Sequence, residues 1–219
     1  IKSIDKDKLY SFLREMEFNR LLSQAISFYG EPNIKNFGIE NKSKKQSKIN
    51  TKEYKSITEE KDLSKIVNDL NGKSIFAVDT ETTSLNPQDA ELVGISLSYA
   101  ANASFYIPIG HHNTRCLNKE YVISKLKPIL EDPSIKKVGQ NIKYDYIIFK
   151  KYGVELTSIE DTMLLSYTLD AGNNRHNMDT LSELHLGHKT ISYKDVVGTG
   201  KKQLNFSEVD LNKATEYAA

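Results

Sequence analysis

The stretch SIFAVDTETTSLNPQDAELVGISLSY, residues 74–99, decides how this chain is to be read. Ile75, Phe76, Ala77 and Val78 make an apolar run of the kind that forms a buried strand, yet the run leads straight into Asp79, Thr80 and Glu81. Side chains alternate along an extended backbone, so Asp79 and Glu81 share a face about 6–7 Å apart. Like charges held beside a core repel each other and are costly to desolvate. A cation between them would remove that repulsion. Downstream, Val93, Ile95, Leu97 and Tyr99 alternate as a second strand.

Working outward, residues 74–78, 92–99 and 104–109 read as three strands whose short connections predict an antiparallel meander. A helix over 58–70, ending at Asn71-Gly72, precedes them. After them come a helix over 118–131, a strand over 135–138 and a helix over 142–152 closed by Gly153. Helices over 159–169 and 178–186 follow, then the loop GTGKKQ and a last helix from about Asp210. Strands first and helices around them indicate an α/β layer fold with a mixed sheet, over 57–219.

The first part is different in kind. Leu9, Phe12, Leu13, Met16, Leu21, Leu22 and Ala25 keep helical spacing through residues 4–29, and Gly30 and Pro32 stop it. Residues 41–56, NKSKKQSKINTKEYKS, carry six lysines and almost nothing to bury, which reads as a flexible linker. The chain starts with Ile, as expected of a piece of something longer.

Charge narrows the functions. Residues 1–73 carry a net +4 and residues 74–219 a net −3, so the second part is no general polyanion binder with a broad basic face. If it handles nucleic acid, it does so locally, with cations taken from solution. No apolar run approaches the roughly 18–20 residues of a membrane helix, so no membrane partner is expected. Cys116 is the single cysteine, which excludes an internal disulfide and fits a reducing, cytoplasmic setting. His111, His112, His176, His185 and His188 lack zinc spacing. GTGKKQ is not a phosphate loop, and no nucleophile elbow occurs.

A second polar cluster stands in KKVGQNIKYDYIIFKKYG, residues 136–153. Gln140 and Asn141 leave the end of an apolar strand, and Tyr144 and Asp145 open the following helix. On its own, Asp145 serves equally to offset the helix dipole. Strand ends of this kind are where function gathers in open α/β sheets. The third cluster is DLNKATEYAA, residues 210–219, where Tyr217 would share a helix face with position 221, beyond the last residue.

VDTETTSL, VGQNIKYD and ATEYAA, in this order and spacing, resemble the three motifs of the DnaQ-like 3′–5′ exonucleases. More narrowly, residues 57–219 are similar to the proofreading domain of bacterial DNA polymerase I, as is RHNMDTLSELHLGHKTISYKDVVGTGKKQLNF, residues 175–206. LYSFLREMEFNRLL looks like the tail of the 5′-nuclease region that precedes it, which would make 1–40 a helical tail.

The resemblance implies an RNase H-like sheet, a meander plus parallel strands, and hydrolysis of a 3′-terminal phosphodiester with two divalent metal ions, Mg²⁺ or Mn²⁺. It gives Asp79 the bridging position, Glu81 a ligand role on the nucleophile side and Asp145 the second metal. Tyr217 would position the attacking water. The family continues from the Tyr to an Asp four residues on, so this 219-residue chain is expected to be inactive or impaired. Leu85 would wedge against the terminal base and Tyr193 would stack on one, while Thr80, Gln140, Asn141, Tyr144 and Arg175 would make polar contacts. Read without the resemblance, Leu85 is turn-edge packing, Tyr193 a loop aromatic lying on the core and Arg175 a surface charge. The implied partners are a single-stranded DNA 3′ end and the polymerase domain of the same longer chain, the fragment itself being monomeric. A vestigial exonuclease fold serving as scaffold and a related 3′–5′ ribonuclease are the alternatives; the first loses the motif carboxylates, which are present here.

Overall fold

The computed structural model describes residues 4–31, 54–172 and 174–219, and the chain divides into two compact units between Lys45 and Gln46. In the first unit, α1 (Lys6–Glu15) and α2 (Asn19–Tyr29) replace the single helical run read over 4–29. The break falls at Glu17, whose φ of 56° no helix accepts. Asp5 caps α1 by accepting from the Lys8 N–H. The buried Tyr10 hydroxyl donates to the Gly30 carbonyl at 2.6 Å and so ties the end of α2 to α1.

Residues 41–53 of the expected linker lie outside the described residues. Its last residues are not linker: β1 (Lys55–Ser56) pairs parallel with β4 (Ala103–Pro108). The cause is the next residue. Ile57 is buried in the core and its N–H donates to the Tyr106 carbonyl at 2.8 Å, which draws the two residues before it onto the sheet edge.

The sheet of the second unit has six strands in the order β1-β4-β3-β2-β5-β6. Its middle is the expected meander of β2 (Ile75–Thr82), β3 (Leu92–Ala100) and β4, all antiparallel. β5 (Lys136–Gly139) and β6 (Ile159–Asp161) add to β2 in parallel. The chain thus carries the mixed sheet expected of it. Residues 159–161 were expected to begin a helix. They form β6 instead, and Asp161 then caps α6 (Thr162–Asp170) by accepting from the Met163 N–H at 2.9 Å. A capping side chain set the helix start there, ahead of helical spacing.

α3 (Glu60–Asn71), α4 (Lys119–Leu130) and α5 (Lys143–Lys151) send Leu63, Leu126 and Phe149 against Phe76, Val78, Ile95 and Leu97 of the sheet. A second, smaller core joins Tyr106 to Val196 and Val197 of α8 (Tyr193–Val197), to Phe206 and Val209, and to Ala214 of α9 (Leu211–Ala218). α7 (Met178–Leu186) follows the predicted bounds. No helix among the described residues is long and apolar enough to cross a membrane.

Candidate active site

β2 runs four residues beyond its expected end because its pairing with β3 continues to Thr82↔Leu92. Asp79 and Glu81 therefore sit within a strand, in register with Ser96 and Gly94 of β3. On the other side β5 pairs with β2 only as far as Ala77↔Val138, and the chain turns into α5. That leaves backbone donors of β2 without a strand partner, and Asp145 from the first turn of α5 takes one of them. Its Oδ1 accepts from the Thr80 N–H at 2.8 Å and from the Thr80 hydroxyl at 2.5 Å. Asp145 is 2 % exposed.

The three acidic side chains act on each other. Burial, then the charge of Asp145, pushes the Asp79 carboxyl up to about 8. Burial, then Asp79 and Asp145, holds Glu81 well above the usual carboxylate range. Burial raises Asp145 to about 6, the Thr80 hydrogen bonds pulling the other way. Tyr217 on α9 faces the same cluster: burial and then the charges of Glu81 and Asp79 push its hydroxyl up. Tyr217, Tyr193 and Phe206 pack ring against ring, Tyr193 stacked on Phe206 with centroids 6.4 Å apart and 10° between planes. Tyr193 is thus the first residue of α8, on the second core, and not a loop aromatic.

The remaining sequence candidates stand around this cluster in different ways. Leu85 is 94 % exposed, on a loop fastened below by Tyr144, whose hydroxyl donates to the Ser84 carbonyl and contacts the Thr82 hydroxyl. Asn141 has a φ of 56°, and its N–H donates to Asp161 Oδ1 at 3.0 Å. Gln140 is engaged at both ends, donating to the His176 carbonyl at 2.7 Å and accepting from the Thr162 hydroxyl at 2.6 Å. Arg175 is exposed, and Thr80 is buried with its hydroxyl given to Asp145.

Sequence reasoning passed over two groups. Asp161 links the β5–α5 corner to α6 and adds its charge to the field on Asp145. Tyr106 lies beside Glu81, and its hydroxyl meets His111 Nε2 at 2.7 Å; His111 Nδ1 in turn lies 3.2 Å from the Val209 carbonyl. The signal for Tyr106 was Gly94, a lone glycine inside an apolar strand, which marks a close approach.

Among the described residues no three His, Cys, Asp or Glu side chains are drawn together as a metal cage, and Asp145 is hydrogen-bonded to Thr80. The donor chemistry fits a hard divalent ion all the same. The set is oxygen only, and burial first, then neighbouring negative charge, raises the proton affinity of Asp79 and Glu81, which a bound cation would offset.

Residues 54–219 match the family model described as 3′-5′ exonuclease. The chain belongs to the 3′–5′ exonuclease family. Two curated relatives of the chain are DNA polymerases I. The chain is 42% identical to DNA polymerase I of Rhizobium leguminosarum over 186 residues, covering 76% of this chain and 18% of the relative. It is 40% identical to that of Pseudomonas aeruginosa over 156 residues, covering 68% and 17%. The exonuclease domain thus spans less than a fifth of the length of these relatives. Two solved structures share its fold. The Aedes aegypti Nibbler EXO domain superposes with a TM-score of 0.60 at 15% identity, covering 80% of this chain and 84% of that one. Escherichia coli RNase D gives 0.55 at 20%, covering 76% and 40%. The family is one of hydrolases and is generally dependent on divalent metal.

Proposed function

We propose that this chain removes the 3′-terminal nucleotide from single-stranded or frayed DNA, as the proofreading part of a cytoplasmic DNA polymerase I. The observation that supports this reading is that the buried carboxyl of Asp79 on β2 feels the charge of Asp145 on α5, that Glu81 feels both, and that Tyr217 of α9 faces Glu81 and Asp79. Asp79 and Glu81 would hold one divalent ion, and Asp79 with Asp145 would hold another. Such ions, when bound, supply activation of the attacking water and stabilisation of the leaving 3′ oxygen. Tyr217, which faces the charges of Glu81 and Asp79, would orient that water through its hydroxyl. Leu85 presses on the terminal base, and Tyr193 stacks on a base for about 1–3 kcal/mol without regard to sequence. Asn141, Tyr144, Gln140 and Arg175 line the path of the strand, and Thr80 acts on it through Asp145. A mispaired end is cheaper to unstack, which gives preference for errors.

The test is digestion of 5′-labelled DNA and RNA oligonucleotides of one sequence, with Mg²⁺, Mn²⁺ or EDTA. A ladder shortening from the DNA 3′ end, abolished by EDTA, is expected. Faster digestion of RNA would move the chain to the ribonuclease reading, for which RNase D and the Nibbler domain supply only a shared fold. A longer form of the chain that neither digests DNA nor binds Mn²⁺ would leave the scaffold reading.

The raised carboxyl groups also set a pH dependence. Asp79, Glu81 and Asp145 bind protons more tightly folded than unfolded. The stability this contributes is fully present below the unfolded values near about 4 and is lost as pH rises through the folded ones, about 6 for Asp145 and about 8 for Asp79. The Tm in EDTA is therefore expected to fall between pH 5 and pH 8.5, and millimolar Mn²⁺ to restore more of it at the upper end. A flat EDTA profile would contradict the raising of these groups by burial and neighbouring charge.

A further inference from the structure

Three serines line a cavity of about 250 Å³ that also takes in Asp79, Gln140 and Met178. Two of them are spoken for. Ser98 Oγ donates to the Ala103 carbonyl at 2.9 Å, and Ser104 Oγ to the Leu97 carbonyl at 3.2 Å. Ser96 differs. It is 5 % exposed, and its Oγ has no hydrogen-bond partner, alone in this among the buried side-chain oxygens and nitrogens of the described residues. A buried hydroxyl without a partner is uncommon and calls for a cause. The register supplies one, because Ser96 stands directly opposite Asp79 on the neighbouring strand and both border the same cavity. Residues so paired have Cβ atoms about 4.5–5.5 Å apart, within reach of one serine χ1 rotation.

We propose that Ser96 is a positioning residue for Asp79: its hydroxyl donates to the Asp79 carboxylate when that carboxylate carries a divalent ion, and so fixes the direction in which it offers its oxygens. The inference rests on the reading of Asp79 as a metal ligand. Carboxylates that hold metals are themselves held by hydrogen bonds, and removing such a support commonly weakens metal binding about 10–100-fold. In the metal-free protein the same hydroxyl is buried to no benefit, so its loss has an unusual sign.

Mn²⁺ binding to the wild-type chain, Ser96→Ala and Ser96→Thr is measured without nucleic acid, by calorimetry or by loss of the free-ion EPR signal. The Tm of each is taken in EDTA. Ser96→Ala is expected to weaken Mn²⁺ binding about 10–100-fold while leaving the metal-free Tm unchanged or raised. Ser96→Thr, which keeps the hydroxyl, is expected to bind within about threefold of wild type. A Ser96→Ala affinity equal to wild type overturns the assignment, as does weakening in both variants alike, which would mark a packing effect. Wild-type protein that binds no Mn²⁺ at all would remove the metal reading of Asp79 first, and this assignment with it.

Discussion

Asp79→Asn is expected to lower 3′–5′ digestion of single-stranded DNA by at least about 10³-fold and, in EDTA at pH 8.5, to raise the Tm. The two effects have one cause. Asparagine has nearly the shape of aspartate but carries no charge, so it cannot serve as an ionised ligand shared between two ions. Removing one preorganised catalytic group already costs about 10²–10³ in rate, and Asp79 would serve both ions. In the metal-free protein the same charge works against the fold, with Glu81 two residues along the strand and Asp145 across from it. The gain in Tm has to depend on pH in a definite way. Below about pH 6 the wild-type carboxyl is already protonated, and the two proteins should converge; above about 8 it ionises and they should separate. Each kcal/mol relieved moves the Tm by about 2–4 °C in a chain of this size. Thermal scans in EDTA at pH 5.5 and 8.5, with a digestion assay in Mn²⁺, check both halves. An Asp79→Asn protein less stable than wild type at pH 8.5 would show that Asp79 anchors the strand and does not strain it.

What could be seen in the sequence and what could not follows from the range over which each feature is determined. The meander was legible because Val93, Ile95, Leu97 and Tyr99 carry their alternation locally and the connections are short. Asp79 and Glu81 could be placed on one face because period-two alternation needs no partner. β6 was missed because three residues hold too little periodicity, and what makes them a strand is β5, which pairs Lys137 with Ile159 far along the chain. β1 was missed for the same reason. Its Lys55 and Ser56 look like the lysine-rich stretch before them, and only burial of Ile57 pulls them to the sheet. Within the site, sequence spacing brought Asp145 to the right strand end. It could not reveal that Asp145 would lean on Thr80, because that bond depends on β5 stopping short of β2's own end. Thr80 and Gln140, read as contacts for a substrate, have their polar groups bound within the protein, an arrangement visible only once the neighbours are placed.

Gly94→Ala should be among the most destabilising single-methyl changes in the chain. A Cβ at that position would stand 2.1 Å from the Tyr106 hydroxyl oxygen, 2.3 Å from Cζ and 2.4 Å from Cε2, so the ring as well as its hydroxyl is in the way. Tyr106 has nowhere to yield. It is fully buried, bonded to His111 Nε2 at 2.7 Å, and His111 is packed against Phe206 with Nδ1 at the Val209 carbonyl. Moving the ring would disturb the segment from which α9 starts, and with it Tyr217, while Gly94 itself faces Glu81 across the strands. Overpacking of this severity costs about 3 kcal/mol, hence about 6–12 °C in Tm. Digestion should fall along with it, since both sides of the acidic cluster shift. Urea unfolding of Gly94→Ala, Tyr106→Leu and the double variant separates the clash from any effect of the methyl group on strand propensity. If the ring is what the methyl meets, the double variant will be less destabilised than the two single changes added together, by about 1 kcal/mol or more. Strict additivity would mean that Gly94 is needed for a reason other than the room it leaves to Tyr106.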